Sequence, residues 1–135
     1  MAHKTIISGK RKTAVAKLMM KEGKGKIFYN YLPYEELNLF HRLALAEPVR
    51  IYQSVLGDEL KFDFHIKTMG GGSSGQIQAA RLAIAKALLE ITGSEVLRKA
   101  FIAYDRHLVV ADSRRKETRK PGDSKARAMR QKSYR

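Results

Sequence analysis

The sequence predicts an α+β fold, in which a mixed β-sheet packs against helices. Two patterns carry this prediction. Residues 61–67 alternate polar and apolar side chains, as a strand with one buried face does, and residues 76–92 repeat apolar side chains at the spacing of a helix. A chain of 135 residues has room for one domain with one hydrophobic core.

Strands and a hairpin are predicted for the N-terminal part of the chain, because polar and apolar residues alternate there. The strands cover residues 5–8, 13–21 and 26–29. The second strand turns Ala14, Ala16 and Leu18 to one side. Gly23-Lys24-Gly25 provides a hairpin tip before the third strand, and residues 30–33 form a further turn.

Two helical segments precede the strand at residues 61–67. Residues 35–46 are predicted to form an amphipathic helix that ends before Pro48, because proline disfavours helical conformation in the residue before it. Residues 49–56 form a second, short helical segment. The apolar face of the first helix would consist of Leu39, Leu43 and Ala46, with Phe40 beside them.

Two helices and a short strand are predicted after the glycine-rich segment that follows residue 69. Gly93 ends the helix at residues 76–92, since glycine readily adopts the left-handed conformation of a helix C-cap. Ser94 then caps a second helix that runs to about Tyr104. Residues 108–111 would form the last strand.

The charge is strongly positive and is concentrated near the C-terminus. The chain has 27 Lys and Arg against 13 Asp and Glu, a formal net charge of +14, and residues 113–135 hold ten of the basic and two of the acidic residues. This segment lacks Val, Ile, Leu and Phe, so it cannot bury a core of its own. We therefore predict a globular domain over residues 1–112 and an extended basic tail over residues 113–135, whose partner is a polyanion such as RNA.

The composition leaves several classes of site without support. With no cysteine, the chain has no disulfide, no thiolate zinc site and no cysteine nucleophile. Its four histidines are scattered along the sequence, so neither a metal nor another cofactor is expected. Apolar runs fall short of the roughly 20 residues of a membrane span, and a cytoplasmic protein without membrane contact is expected.

A glycine-rich segment, Gly70 to Gly75, lies between the predicted strand and the long helix. It matches the dinucleotide fingerprint G-x-G-x-x-G, but a parallel Rossmann strand is apolar throughout, whereas the strand before it alternates. It also matches the start of a P-loop, but Gln76-Ile77 replace the required Lys-Ser/Thr. Two interpretations remain: a flexible loop, or a site where Gly70, Gly71, Gly72 and the amides of the helix start bind an RNA phosphate.

Three consecutive cations, Lys10, Arg11 and Lys12, stand between the first two predicted strands. A bound anion would relieve their mutual repulsion, which favours RNA contact over a solvated loop. Asp105-Arg106-His107 is interpreted as a structural turn with local ion pairs, because three adjacent side chains cannot converge on one nucleophile. No catalytic residue is predicted.

Separated motifs along the chain together resemble the universal S-nine family of small-subunit ribosomal proteins. They are Gly9 to Ala16, Gly70 to Arg81, Tyr104 to Arg106 followed by Asp112 to Glu117, and the closing Gln131 to Arg135. The ending, with Lys125-Ala126-Arg127 before it, resembles the archaeal and eukaryotic branch, and the short chain resembles an archaeal member.

The resemblance implies a fold like domain two of ribosomal protein S-five, with a left-handed βαβ crossover. It also implies a structural role in the head of the small subunit, on the rRNA of that subunit and beside other head proteins, without an obligate homo-oligomer. The tail residues that would face rRNA are Arg114, Arg115, Lys116, Arg119, Lys120, Lys125, Arg127 and Arg130. The residues that would face tRNA in the peptidyl site are Lys132, Ser133, Tyr134 and Arg135.

Two other functions stay open at this point. A small-molecule kinase of the related fold would use Gly70 to Gly75 as its phosphate loop, but the sequence offers no Asp or Lys base at a fitting place. A nonspecific nucleic-acid chaperone would act through the tail alone. Removing residues 113–135 would abolish all RNA binding by such a chaperone, whereas a ribosomal protein would keep shape-selective affinity in its body.

Overall fold

The computed structural model describes residues 5–122 and 125–128, and within them five strands form one sheet. The strands are β1 (Ile6–Arg11), β2 (Ala14–Glu22), β3 (Ile27–Tyr29), β4 (Leu32–Pro33) and β5 (Phe62–Met69). They lie in the order β1-β2-β5-β3-β4. β3 and β5 pair in parallel and all other neighbours pair antiparallel, which confirms the mixed sheet of an α+β fold.

One α-helix lies directly on the sheet, and two others pack against it. They are α1 (Leu39–Leu56), α2 (Ser73–Thr92) and α3 (Glu95–Tyr104). α2 packs on β1, β2 and β5, while α1 and α3 pack against α2 and against each other. The left-handed sense of the crossover from β3 through α1 to β5 stays a prediction.

The core lies between α2 and one face of the sheet. Ala14, Ala16 and Leu18 are completely buried there, which confirms that they share one side of β2. Small residues let the layers approach closely: a Cβ added to Gly9 of β1 would lie 2.2 Å from the carbonyl oxygen of Ala79 in α2. Any side chain at residue 9 would therefore push α2 off the sheet.

The predicted bounds and apolar face of the first helix are wrong. Residues 34–36 form a 3-10 turn, and α1 begins only after Asn38, whose side chain accepts a hydrogen bond from the His41 amide at 3.0 Å. α1 then continues through Pro48, which removes one backbone donor from the helix and leaves the remaining turns intact. Leu39 and Leu43 are exposed, and the buried residues are Leu45, Pro48 and Tyr52.

Three smaller corrections concern turns and ends. Residues 108–111 are not a strand, because the 3-10 helix Arg106–Leu108 turns the chain and buries Leu108. Residues 32–33, predicted as part of a turn, form strand β4 after a two-residue turn at Asn30 and Tyr31, whose φ angles are 49° and 70°. α2 begins at Ser73, three residues before the predicted start.

The predicted ends of the last two helices are confirmed. Gly93 adopts a left-handed φ of 59° and closes α2. Ser94 caps α3 by accepting a hydrogen bond from the Leu97 amide at 3.4 Å. Within residues 5–122 and 125–128, the helices lack the length and apolar character that a membrane crossing needs.

Residues 113–122 are all exposed and contain neither helix nor strand. The division into a body over residues 1–112 and a tail over residues 113–135 stays a prediction. Arg130, Lys132, Ser133, Tyr134 and Arg135 lie outside the described residues.

Candidate nucleic-acid interface

The turn between β1 and β2 and the loop before α2 line one cleft of about 370 Å³. Arg11, Lys12 and Thr13 form one wall, and residues 71–75 form the other. The basic segment and the glycine-rich segment are about 60 residues apart in sequence, yet the sheet register brings them together, since Val15 of β2 pairs with Met69 of β5. The fold therefore joins two of the predicted RNA-binding motifs into a single site.

Two glycines of this loop, Gly70 and Gly71, are required by packing. Gly70 and Gly71 have φ angles of 73° and 64°, a region that residues with a side chain rarely adopt. A Cβ on Gly71 would lie 2.9 Å from the Cβ of Ala14, and a Cβ on Gly70 would lie 2.6 Å from the carbonyl oxygen of Thr13. The glycines thus hold the loop against the β1–β2 turn.

The start of α2 opens into the same cleft. Gly72 is the extended N-cap residue, and no side chain caps the helix. The backbone amides of the first turn of a helix have no hydrogen-bond partner within that helix. At α2 these amides therefore face the cleft, together with the positive end of the helix dipole. Lys12, exposed at the β1–β2 turn, adds a cation to this arrangement. The cleft has the donors and charge that a phosphate group needs.

The three cations at the end of β1 have different environments. Lys10 and Lys12 are exposed, whereas Arg11 is half-buried. The side chain of Arg11 is 17% exposed and forms an ion pair with Asp112. Its charge is therefore already matched within the protein.

Asp112 anchors the root of the tail to the body. It is the one charged residue among the described residues that is buried, at 6% exposure. Arg114 donates to it from Nη2 at 2.7 Å and from Nε at 3.0 Å, and the Arg114 amide donates at 2.9 Å. Arg115 Nη1 donates to the Asp112 carbonyl oxygen at 3.0 Å. Two predicted RNA-binding residues, Arg11 and Arg114, thus share one internal carboxylate.

Sequence reasoning used Asp112 as a boundary and as part of a family motif, and missed this role. A signal was present, because Asp112 lies two residues before the first cation of the Arg114-Arg115-Lys116 cluster. A carboxylate next to a cationic run is a candidate counter-ion. What the sequence could not supply was the second partner, since Arg11 lies about 100 residues away.

A second ion network joins α1, α2 and the turn after α3. Arg81 Nη2 lies 2.6 Å from Glu47, and Arg81 Nη1 lies 3.0 Å from Asp105. Burial works to raise the pKa of Asp105, but the His107 amide and the Arg81 guanidinium outweigh it and hold that pKa below its ordinary value. The predicted local pair between Asp105 and Arg106 is replaced by this long-range pair.

This network borders a polar cleft of about 390 Å³, which also contains Lys10, Asp112 and Arg114. Arg81 Nε is buried there without a hydrogen-bond partner in the described part of the protein. The cleft connects the anchor at Asp112 with the body. The carboxylates of this cleft form ion pairs with most of its cations. The structural role of the cleft is therefore to hold the body and the tail root together.

Cations farther along the tail have a different environment. Lys116, Arg119, Lys120 and Lys125 are exposed, and in the part of the chain that the structure describes none of them forms an ion pair. Arg127 pairs with Glu117 at 2.9 Å, and both side chains are more than half exposed. Such a surface pair is weak in water and readily exchanged for another anion.

The described residues do not form a metal centre. Among residues 5–122 and 125–128, no group of three or more His, Asp or Glu side chains is placed to hold a metal ion. His65 stacks on Phe28 in the sheet, and His107 lies in the 3-10 helix after α3.

Comparison with known proteins assigns this chain to a family. The model of the family described as Ribosomal protein S9/S16 matches residues 9–135. The chain belongs to this family. The match takes in the β1–β2 turn, the glycine-rich loop and the whole basic tail to Arg135.

Two curated relatives of this family member come from archaea. The small ribosomal subunit protein uS9 of Methanothrix thermoacetophila is 43% identical over 129 residues, covering 95% of this chain and 96% of the relative. The protein of the same name from Methanococcus vannielii is 43% identical over 130 residues, covering 94% and 95%. The chain is thus an archaeal member of a structural, non-enzymatic ribosomal family, which confirms the predicted family and the absence of catalysis.

Proposed function

We propose that this protein is a structural constituent of the small ribosomal subunit, located in the cytoplasm within ribosomes. Its body docks on the rRNA of the subunit head, beside other head proteins, and its tail follows rRNA towards tRNA in the peptidyl site. The observation that carries the proposal is the exposed row of cations after Asp112, of which Lys116, Arg119 and Lys120 have no internal carboxylate partner in the described part of the chain.

The cleft between the β1–β2 turn and α2 supports docking of the body. Lys12, the amides at the start of α2 and the backbone of Gly71, which has a left-handed φ of 64°, surround a space that admits a phosphate group. An RNA phosphate there would be bound by backbone amides and by one flexible ammonium group. Such a site recognises the shape and charge of the RNA backbone, which suits a protein that docks on folded rRNA.

The composition of the tail supports its proposed path. Residues 113–135 carry a net charge of +8, and fully stretched they would reach roughly 75 Å at about 3.3 Å per residue. Arginine binds phosphates in a fork and stacks on bases, and tyrosine stacks as well. A tail of this reach and composition can extend along RNA far beyond the edge of the body, with Lys132 to Arg135 at its far end.

Charge removal from the tail tests the rRNA part of the proposal. A chain with Lys116→Ala, Arg119→Ala and Lys120→Ala should bind small-subunit rRNA about 100-fold more weakly, since each lost phosphate contact removes part of the counterion-release free energy. The matched control is Lys24→Ala, Lys61→Ala and Lys99→Ala, three exposed body lysines away from both clefts, which should leave affinity within about threefold. Equal losses in both variants would mean that only net charge matters.

Truncation at the far end tests the tRNA part. Deleting Gln131 to Arg135 is expected to leave incorporation into the small subunit intact, since most tail cations remain. Retention of tRNA in the peptidyl site, measured by filter binding to purified subunits, should fall. Loss of rRNA binding and of tRNA retention to the same degree would contradict this division of roles. Co-sedimentation of the full chain with the small subunit through high salt is the accompanying check that it is a built-in component.

A further inference from the structure

The exposed face of the sheet carries an apolar row that crosses all five strands. Ile6 pairs with Met19, Met19 with His65, His65 with Phe28, and Phe28 with Pro33, one residue from each strand. The neighbours of these residues in sequence point to the core, so the row lies on the opposite side from α2. Ile6 is 60% exposed, and Met19, Phe28 and His65 are half-buried. We call this side of the sheet the open face.

A cavity of about 260 Å³ lies along this row. Ile6, Met19 and Phe28 line it together with His65 and Tyr31. Pockets for drug-sized ligands typically span roughly 300–1,000 Å³, so this cavity suits one or two apolar side chains rather than a cofactor.

Two lysines stand beside the cavity. Lys17 of β2 and Lys67 of β5 are direct cross-strand partners, are both exposed, and both line the cavity. Directly opposed side chains in an antiparallel pair have Cβ atoms only about 4.5–5.5 Å apart, and like charges in such a pair destabilise the sheet. In the described part of the chain neither ammonium group has a carboxylate partner. An anion placed between them from outside would relieve this repulsion.

Tyr31 lies at the mouth of the cavity, in the two-residue turn between β3 and β4. Its φ of 70° is unfavourable for a residue with a large side chain, and its side chain is 83% exposed. The turn is held by Asn30, whose side chain accepts a hydrogen bond from the Thr68 amide at 2.9 Å and donates to the Thr68 hydroxyl at 3.0 Å. The Thr68 contacts therefore hold the turn, while the Tyr31 ring is left unpacked.

The geometry of the open face favours protein over RNA as its occupant. The rings of Phe28 and His65 stack on each other, with centroids 4.8 Å apart and 11° between their planes. Their faces are turned to one another, so they form no flat platform on which successive bases could stack. The cavity is lined largely by apolar groups, so an extended phosphate backbone would find cations only at Lys17 and Lys67.

We propose that the open face binds a segment of a neighbouring protein in the small subunit. The segment places an apolar side chain in the cavity and an aspartate or glutamate over Lys17 and Lys67. An apolar anchor with charged groups at its rim is the usual composition of a specific protein interface. The inference rests on the proposed function, because it names a contact within the assembled subunit.

Photo-crosslinking in purified small subunits tests the proposal. The full chain, with p-benzoylphenylalanine at residue 19, is incorporated into subunits, irradiated, and the products are identified by mass spectrometry. We expect one crosslinked peptide from another subunit protein, with an acidic residue close to the crosslinked apolar position. A crosslink to rRNA, a crosslink only within the same chain, or no crosslink in subunits that contain the chain would overturn the proposal.

Charge reversal provides the specific control. Lys17→Glu with Lys67→Glu should lower the yield of that crosslink about tenfold, because two attractive rim charges become repulsive. Lys24→Glu with Lys99→Glu changes the net charge equally at exposed positions elsewhere and should leave the yield unchanged. An equal effect of both pairs would overturn the assignment of Lys17 and Lys67. Failure of every variant, including the unmodified chain, to enter subunits would instead refute the proposed function.

Discussion

Arg11 and Arg81 in the body and Arg119 in the tail show arginine in opposite environments. Arg11 and Arg81 in the body are 17% and 16% exposed, and each contacts at least one carboxylate. Arg119 in the tail is exposed, with no ion-pair partner in the described part of the chain. Only the second kind of cation gains a partner when RNA binds. Net charge alone therefore overstates how many residues of this protein contribute to RNA affinity.

The largest expected effect comes from removing the tail altogether. If the tail supplies most of about ten phosphate contacts, the full chain should show a log–log salt dependence with slope of about −7 to −9 on small-subunit rRNA. A chain of residues 1–112 should have a slope several units shallower and much lower affinity, while still preferring folded rRNA over unstructured RNA. Isothermal titration across a salt series measures both. A slope near −1 for the full chain would contradict the proposed phosphate contacts of the tail. Absence of rRNA binding by residues 1–112 would contradict the proposed affinity of the body.

Asp112 lies at the boundary between the two environments, and its replacement should have the next largest effect. Asp112→Ala leaves Arg11 partly buried without its counter-ion and releases Arg114, at a cost of roughly 2–4 kcal/mol in the free energy of unfolding. Urea denaturation followed by circular dichroism measures this. The control is Glu117→Ala, which removes an exposed pair with Arg127 and should cost less than about 0.5 kcal/mol. Similar costs for both would show that the root of the tail is not anchored.

Gly71 tests whether the cleft depends on close packing. Gly71→Ala combines a left-handed φ with a contact of 2.9 Å to the Cβ of Ala14, and it should destabilise the protein by roughly 2–3 kcal/mol. Gly57→Ala has a similar φ of 68° but nothing within 4 Å of the added Cβ, so it should cost only about 1 kcal/mol. Thermal unfolding of the two variants separates backbone strain from the packing contact. Equal shifts would mean that the loop can move away from the β1–β2 turn.

The smallest expected effect is a change in the loss of stability at low pH, caused by replacing Asp63 near the start of β5. The pKa of Asp63 is lowered from its ordinary 3.8, first by the hydrogen bond from the Lys26 amide and also by those from Lys24 and Gly25. A lowered folded-state pKa gives stability that is complete above the ordinary value and is lost as the pH falls through the folded one. Between pH 5 and pH 2, Asp63→Asn should therefore lose less stability than the unaltered chain, as measured by urea unfolding. Parallel pH profiles would contradict this role of Asp63.

Local patterns predicted the sheet and the long helix well, because alternation and helical spacing are properties of neighbouring residues. The buried side of β2, the caps at Gly93 and Ser94, and the strand at residues 62–69 all follow from them. The first helix was mispredicted, since Leu39 and Leu43 suggested an inner face that the packing of α1 on α2 and α3 turns outward. There, long-range contacts outweigh the local pattern.

The candidate site was predictable in its residue types and not in its geometry. The sequence favours RNA contact at the basic motif and leaves the glycine-rich motif open between a flexible loop and an RNA phosphate site. Their convergence depends on the pairing of β2 with β5, and the neutralisation of Arg11 depends on a carboxylate about 100 residues away. Neither contact leaves a trace in local sequence. The tRNA-facing residues Lys132 to Arg135 stay a prediction of the family resemblance.

The position of β5 has a consequence for folding. The hairpins β1–β2 and β3–β4 flank it and do not touch each other in the sheet. Until β5 inserts between them, neither hairpin is part of a continuous layer, and two-stranded hairpins alone are marginal in water. The body should therefore fold and unfold in a single cooperative transition, and a nascent chain gains its sheet only once residue 69 has left the exit tunnel.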